Sequence, residues 1–458
     1  MDSESGVFLK KQSYKGIILL FTLFLLSACN LKAEKEETVE TYDLPTVEMD
    51  YSDEEIVAFN NRVNQGEANQ YEGLNIHNTP LLTAPEELPP ALFYDSGVNI
   101  PYPEEGVKGV YVPASVLEDP EYYQQLLDYV DQTALNAMVI DFKDDLGQIV
   151  SDVDSDNKLV NENSIALVDF KKILKDLEER QIYPIARIVT FKDNLLSTSH
   201  PEYSFKSAED GEIWQDGNGA QFINPFMQEV WDYNVAVAIE AAKMGFKEIQ
   251  FDYIRFPEGF ETFSDTLEYN LGDYEAYVTD DPELFGQERV YAINDFLEYA
   301  NERIAPFGAD VSADVFGYTA IAGDAADVRG IGQNFSQMAE RVDVISSMIY
   351  PSHWDYGFFG LESPDLFPYE VVDQYMYTEK ELLSKVTNPA TSRPWLQDFT
   401  DSGLDPGTYQ EYGAQQVQEQ IVALHEYGIH EFLLWNAGGF YTEGVDYAPE
   451  ITGNEFYY

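Results

Sequence analysis

Residues 249–257 read Ile249-Gln250-Phe251-Asp252-Tyr253-Ile254-Arg255-Phe256-Pro257. The run is mostly apolar, follows a helical stretch that ends near Gly245, and has the length of a buried β-strand. Yet it carries a carboxylate at Asp252 and a guanidinium at Arg255 where the strand should run out into a loop. A buried strand gains nothing from a charge without a partner or a task, because taking that charge out of water is costly. The stretch predicts a strand that ends in a site.

Outward from it the chain shows a repeating βα rhythm. On the N-terminal side the apolar spacing predicts strands over 107–113, 137–143 and 183–191, with helices over 121–133 and 165–180. A helix over 224–245 leads into the quoted strand. Asn224 is placed to cap it, Pro225 suits the first helical position, and Gly245 can take the left-handed conformation at its end. Its apolar stripe of Trp231, Val235, Ala238 and Ala242 reads as core. On the C-terminal side an acidic, aromatic insertion over 258–286 precedes a helix over 288–305 and a strand over 309–317. An amphipathic turn with Phe335 and Met338 leads to a strand over 342–351, followed by a second long insertion over 352–377. Residues 380–383 are too short a pattern to assign. A strand over 394–399, a helix over 409–427 closed by Gly428, and a strand over 431–435 complete the series. Eight strands joined by crossovers long enough for helices predict an α/β fold, a closed (β/α)8 TIM barrel with long βα loop insertions. An open dinucleotide-binding sheet would want Gly-x-Gly-x-x-Gly after its first strand, and the glycines at 106 and 109 have the wrong position and spacing.

In such a barrel the C-terminal strand ends converge on one rim, where active sites form. The second strand offers Asp141, Lys143, Asp144 and Asp145, and the third Arg187. The fourth brings Asp252 and Arg255, the fifth Asp314, and the sixth Tyr350 and His353. The seventh brings Gln397 and Asp398, and the eighth Trp435 and Asn436. Together they describe a pocket of carboxylates, amides and aromatic faces, which suits a sugar: hydroxyls take polar partners and ring faces stack on Trp or Tyr. Glycosidic cleavage needs one carboxyl that holds a proton and one that acts as nucleophile or base. Asp252 and Asp314, on sequence-adjacent strands and with parity that allows both to point inward, are the preferred catalytic pair. Arg255 or Arg187 would keep Asp252 ionised, and a less solvated Asp314 would retain a proton. Asp141 and Asp398 are the alternatives; Asp141, Arg187, Arg255, Tyr350, His353, Asp398, Trp435 and Asn436 are the expected substrate contacts.

Composition narrows the class. Eighty-three acidic side chains face 26 basic ones, a formal charge of -57. A nucleic-acid surface needs a positive footprint, so no nucleic-acid partner is expected. The charge suits cationic partners and salty surroundings. At the N-terminus Lys10, Lys11 and Lys15 precede a short apolar run over 16–26, and Leu26-Ser27-Ala28-Cys29 closes it. That pattern predicts a lipoprotein signal peptide over 1–28, lipidation of Cys29, and an extracytoplasmic protein held at the membrane by that lipid. An acidic tether over 29–50 and an N-terminal extension over 51–105 that wraps the barrel would follow, with a short helix over 53–64 and a Pro-rich apolar run over 79–90. The main domain would span 106–458. Cys29 is the only cysteine, so no disulfide forms within the chain. No cofactor and no catalytic metal are expected; the acidic stretch 152–156 lacks the Gly and final Glu of an EF-hand loop.

The segments beginning Gly109-Val110-Tyr111-Val112-Pro113, Asn136-Ala137-Met138-Val139-Ile140-Asp141 and Tyr183-Pro184-Ile185-Ala186-Arg187, and above all Phe251-Asp252-Tyr253-Ile254-Arg255-Phe256-Pro257, resemble a bacterial family of glycoside-hydrolase-like domains. Ala313-Asp314-Val315-Phe316-Gly317 and Met348-Ile349-Tyr350-Pro351-Ser352-His353-Trp354 extend the likeness, which covers roughly residues 106–439. The resemblance implies a barrel related to α-amylase-like glycosidases, in which the fourth strand supplies an aspartate nucleophile; that position is Asp252. The fifth strand of that pattern usually supplies a glutamate acid, where this chain has Asp314. The expected function is hydrolysis of an extracellular or cell-envelope polysaccharide by two carboxylates. The alternatives are a non-catalytic glycan-binding lipoprotein on the same scaffold, and a metal-dependent deacetylase or esterase, for which the chain lacks a compact His/Asp cluster.

Overall fold

The computed structural model describes residues 94–450, which lie within the compact unit Ala84–Tyr458. The signal peptide, Cys29, the acidic tether, the helix over 53–64 and the apolar run over 79–90 lie outside the described residues. Among the described residues no helix is long and apolar enough to cross a membrane.

Eight parallel strands close into a barrel: β1 Lys108–Val112, β2 Ala137–Lys143, β3 Tyr183–Val189, β4 Glu248–Asp252, β5 Asp310–Phe316, β6 Val344–Met348, β7 Trp395–Gln397 and β8 Phe432–Trp435. Each pairs with the next in sequence, and β1 pairs with β8 through Gly109 and Leu433. The weakest link is β6 to β7, where one register pair, Met348 with Trp395, joins them; Thr391–Ser392 pairs with the first half of β6. Around the barrel run α1 Pro120–Asp131, α2 Phe170–Arg180, α3 Gln228–Met244, α4 Gln287–Ile304, α5 Pro368–Leu383 and α6 Ala414–Glu426. Three short helices, Tyr318–Ala322, Ala326–Ile331 and Phe335–Met338, fill the β5–β6 crossover. Phe335 and Met338 are buried as expected, and so are Trp231, Val235, Ala238 and Ala242 on α3.

Three details differ from the sequence reading. The strand at the quoted stretch stops at Asp252, because Tyr253 takes φ 48°, a left-handed conformation that no strand continues. Asn224 does not cap α3; its side chain accepts from Phe226 N at 3.1 Å and donates to Asn270 O at 2.6 Å, and the helix starts three residues later after Met227. The stretch 352–377, read as an unbroken insertion, contains the start of α5, which begins at Pro368 and buries Val371, Val372, Tyr375 and Met376.

The barrel interior is layered and, on the β4 side, polar. Alternate residues of β4 point inward. Glu248 takes both oxygens to Arg393 Nη1, at 2.8 and 2.7 Å, with neither side chain exposed. Gln250 donates to Ser346 Oγ at 3.3 Å across the interior. Asp252 forms the third layer, at the rim. Below the barrel, residues 94–105 run past the N-terminal strand ends. Tyr94 N donates to Pro306 O at 3.0 Å, and Tyr102 OH donates to the Glu431 carboxylate at 2.7 Å.

Candidate active site

Arg187, on β3, organises the rim. Its Nε and Nη2 donate to Asp252 Oδ2 at 2.9 and 2.6 Å, and its Nη1 donates to Asp141 Oδ1 at 2.7 Å. Both terminal nitrogens also lie 3.3 Å from Asp145 Oδ2. The guanidinium is 1% exposed, so three carboxylates share one buried cation. Its plane also lies 5.5 Å from the ring centroids of Tyr111 and Trp435. Tyr111 OH donates to Asp141 Oδ2 at 2.6 Å. Asp141 therefore has both oxygens engaged, one by Arg187 and the other by Tyr111.

Asp252 accepts from Arg187 on one oxygen and from the Tyr253 backbone N–H, at 2.6 Å, on the other. The left-handed turn at Tyr253 points that amide back at its neighbour's side chain. Every donor to Asp252 is an N–H group, two of them charged, an environment suited to an anion. Asp314, on β5, is treated in the opposite way. It is 2% exposed and receives one hydrogen bond, from Trp395 Nε1 at 2.8 Å. Burial, reinforced by the Asp252 charge, pushes its carboxyl well above the usual carboxylate range, against the pull of the Trp395 N–H and Arg187.

Asp252 and Asp314 line one cavity of about 220 Å³ together with Arg187, Arg255, Tyr350, His353 and Trp435. These are seven of the ten residues expected at the site. Trp435 is stacked on Tyr111, with centroids 4.2 Å apart, and stands edge-on to Trp395 at 5.5 Å. Tyr350 is buried, and His353 packs edge-on against it with centroids 5.0 Å apart. Arg255 does not hold Asp252. It donates to Glu258 Oε1 at 3.0 Å and packs against Tyr253 and Phe316 at 4.9 and 4.7 Å. Of the two cations considered for Asp252, Arg187 is the one that reaches it.

The structure does not bring the other three to the cavity wall. Asp141 stands behind Arg187. Asp398 accepts from Thr442 Oγ1 at 2.5 Å and Thr442 N at 3.1 Å, which ties down the loop after β8. Asn436 donates to Asp398 O at 2.7 Å and accepts from Gly438 N at 3.0 Å, as a turn residue does. Lys143 also points away. It forms a fully buried ion pair with Asp193 at 2.8 Å and donates to the Val189 carbonyl at 2.8 Å.

The sequence reading did not single out five other residues of the cavity wall: Tyr253, Glu258, Phe316, Met348 and Trp395. Asp145, named only as one of a run, also lines it. Burial raises the Asp145 carboxyl, but Arg187 and Lys192, whose Nζ lies 2.8 Å away, outweigh that and hold it below its ordinary value. Strand parity gave one usable signal: Trp395 shares a face with Gln397. Among the described residues no group of three His, Cys, Asp or Glu side chains is placed to hold a metal ion.

Comparison with known proteins places this geometry. No curated protein is a detectable relative of the chain. A hypothetical protein from Ruminiclostridium thermocellum ATCC 27405 is 32% identical over 45% of this chain and 97% of its own, with a TM-score of 0.38. The glycoside hydrolase domain of PgaB (BpsB) from Bordetella bronchiseptica is 14% identical over 73% of this chain and 95% of its own, with a TM-score of 0.50, a likeness of fold. Residues 109–441, from the first strand to just past the last, match the family model described as "Putative glycosyl hydrolase domain". A closed eight-stranded parallel barrel with acidic side chains gathered at its C-terminal rim, matched by that model over most of its length, makes this chain a member of that glycosyl hydrolase family.

Proposed function

We propose that the rim cavity hydrolyses a glycosidic bond of an extracellular or cell-envelope polysaccharide, with Asp252 as the anionic nucleophile or charge stabiliser and Asp314 as the acid/base. The observation that carries this reading is the contrast between two neighbouring carboxyls. Asp252 is surrounded by N–H donors, including a buried guanidinium. Asp314 is desolvated, receives one neutral donor, and holds its proton to unusually high pH. An acid for the leaving oxygen and an anion for the developing positive charge on the sugar are what glycosidic cleavage requires. In the first step the Asp314 proton passes to the glycosidic oxygen as its bond to the anomeric carbon breaks. Asp252 meets the oxocarbenium-like centre, and the deprotonated Asp314 then activates water. Trp435 offers a ring face to the sugar, and Tyr350 and His353 offer polar atoms to its hydroxyls. The leader pattern ending at Cys29 supports placing this activity outside the cytoplasm on a lipid anchor.

The test is release of reducing ends from a panel of neutral, acidic and partly deacetylated amino-sugar polysaccharides. Asp252→Asn and Asp314→Asn are each expected to lower turnover by at least about 100-fold while folding and glycan binding persist. No turnover of any polymer by the unaltered protein, with glycan binding unchanged in Asp252→Asn, would reject the pair in favour of glycan binding alone.

A further inference from the structure

The catalytic cavity is not an isolated pit. It shares the wall residues Tyr253, Arg255 and Glu258 with a second cavity of about 510 Å³ on the β3–β4 side. It shares His353 with a third, of about 270 Å³, on the β6–β7 side. The two flanking cavities have no lining residue in common and are built from different loops. From these shared walls we propose that the rim carries a through-running track that binds a polysaccharide chain on both sides of the scissile bond. The protein would then cleave internally, with its main distal subsite on Trp214. This rests on the glycosidase reading above and adds to it the mode of attack.

Two observations place that subsite. Trp214 is half-buried and lies flat on Phe263, with centroids 5.0 Å apart and planes 16° from parallel. Phe263 covers one ring face and Phe222 lies tilted at 6.3 Å, so the ring is held in place while part of it lines the cavity. An apolar pyranose face stacks on such a surface, and Asp216 and Asn218 from the same loop supply polar atoms at the cavity wall. The second observation is Tyr253. A non-glycine residue at φ 48° is uncommon and carries a conformational cost, and such residues cluster at functional sites. Its ring is flanked by Lys192 Nζ at 4.4 Å and Arg255 Cζ at 4.9 Å from the centroid. It lines both cavities and so forms the sill between them. A saccharide chain leaving the Asp252–Asp314 pocket over this sill reaches Trp214 next.

The probes are oligosaccharide ladders, from dimer to octamer, cut from each polymer of the panel above. Their affinities are measured with Asp314→Asn and their products mapped with the unaltered protein. The expected result is affinity for one ladder that rises with length, and cleavage at internal bonds. Trp214→Ala should weaken binding of the longer members by about tenfold or more, the scale of a lost stacking contact. Its effect should grow with the length of the ladder member, whereas a folding defect would lower binding of every member alike. Affinity independent of length, with single units released from chain ends, would overturn the track while leaving the glycosidase reading intact. Equal loss on short and long members in Trp214→Ala would overturn the subsite. No binding to any ladder and no turnover would reject both readings.

Discussion

Asp314 is tuned by what it lacks. A buried carboxyl with several donors would ionise; this one has the Trp395 N–H alone and a neighbouring anion in Asp252. If Asp314 donates a proton in the rate-determining step, kcat/KM falls as pH rises through its raised pKa, so that group sets the alkaline limb. The Trp395 hydrogen bond favours the charged form, and removing it lifts the pKa further. Trp395→Phe is therefore expected to move the alkaline limb to higher pH, read as kcat/KM against pH on whichever polymer is turned over. An unmoved limb, or one displaced to lower pH, would remove Asp314 from the acid role. At this scale the sequence was informative about types and poor about partners. Asp252, Asp314 and Arg187 stood out because charges in apolar strands need a reason. Asp398 and Asn436 stood out only as polar residues at strand ends, and they close the β8 loop, a role set by Thr442 and Gly438 and invisible in strand spacing.

The elements were legible where their patterns were simple. Mostly apolar runs disclosed strands such as β2 and β3, seven residues each and buried throughout, because a parallel strand buried on both faces reads as a nearly continuous hydrophobic block. The start of α5 was missed because its buried face, Val371, Val372, Tyr375, Met376 and Glu379, mixes β-branched, aromatic and charged residues. Glu379 earns its burial by accepting from Ser347 Oγ, on β6, at 2.8 Å and from Ser392 Oγ beside β7. That pairing spans the sparsest seam of the barrel and could be recognised only once the strands were in place. A comparable device joins β2 to the loop after β3. Lys143 and Asp193 pair at 2.8 Å, and Asp193 also accepts from Leu196 N at 2.7 Å. Gly147, at φ 92°, permits it: a Cβ there would come 1.9 Å from Asp193 Oδ1. Gly147→Ala must displace that carboxylate and is expected to destabilise by about 3–5 kcal/mol, the cost of breaking a buried pair. Gly211→Ala supplies the control, with φ 76° and nothing within 4 Å of the added atom, and should cost only about 1–2 kcal/mol for the left-handed backbone. Denaturant midpoints of the two variants measure the difference; equal losses would mean that backbone strain alone is responsible.

For the whole molecule the acidic excess is the dominant fact, and it reaches into the barrel. At the N-terminal end of β5, Asp310 is pushed up to about 6 from an ordinary 3.8 by burial, with Asp343 and Glu248 adding repulsion and Arg393 opposing them. The direction of the stability effect follows from proton counting. Between pH 7 and pH 5 the folded state takes up a proton at Asp310 that the unfolded chain does not, so the folded state is favoured as pH falls through 6. The contribution is fully developed only as pH approaches the unfolded value near 4, where other carboxyls, such as Asp145, begin to lose theirs in the opposite sense. Asp310→Asn removes the charge without removing the side chain. It is expected to raise Tm at pH 7.5, and to show a smaller gain in Tm than the unaltered protein when the pH is lowered to 5.5. Calorimetry at the two pH values, at fixed ionic strength, reads both quantities. Salt should narrow the gap between the variants little, because a half-buried charge is screened less than the surface carboxylates around it. A variant whose Tm falls at pH 7.5, or whose acid gain matches that of the unaltered protein, would show that Asp310 is charged and accommodated in the folded state. The repulsion from Asp343 and Glu248 would then be met by Arg393.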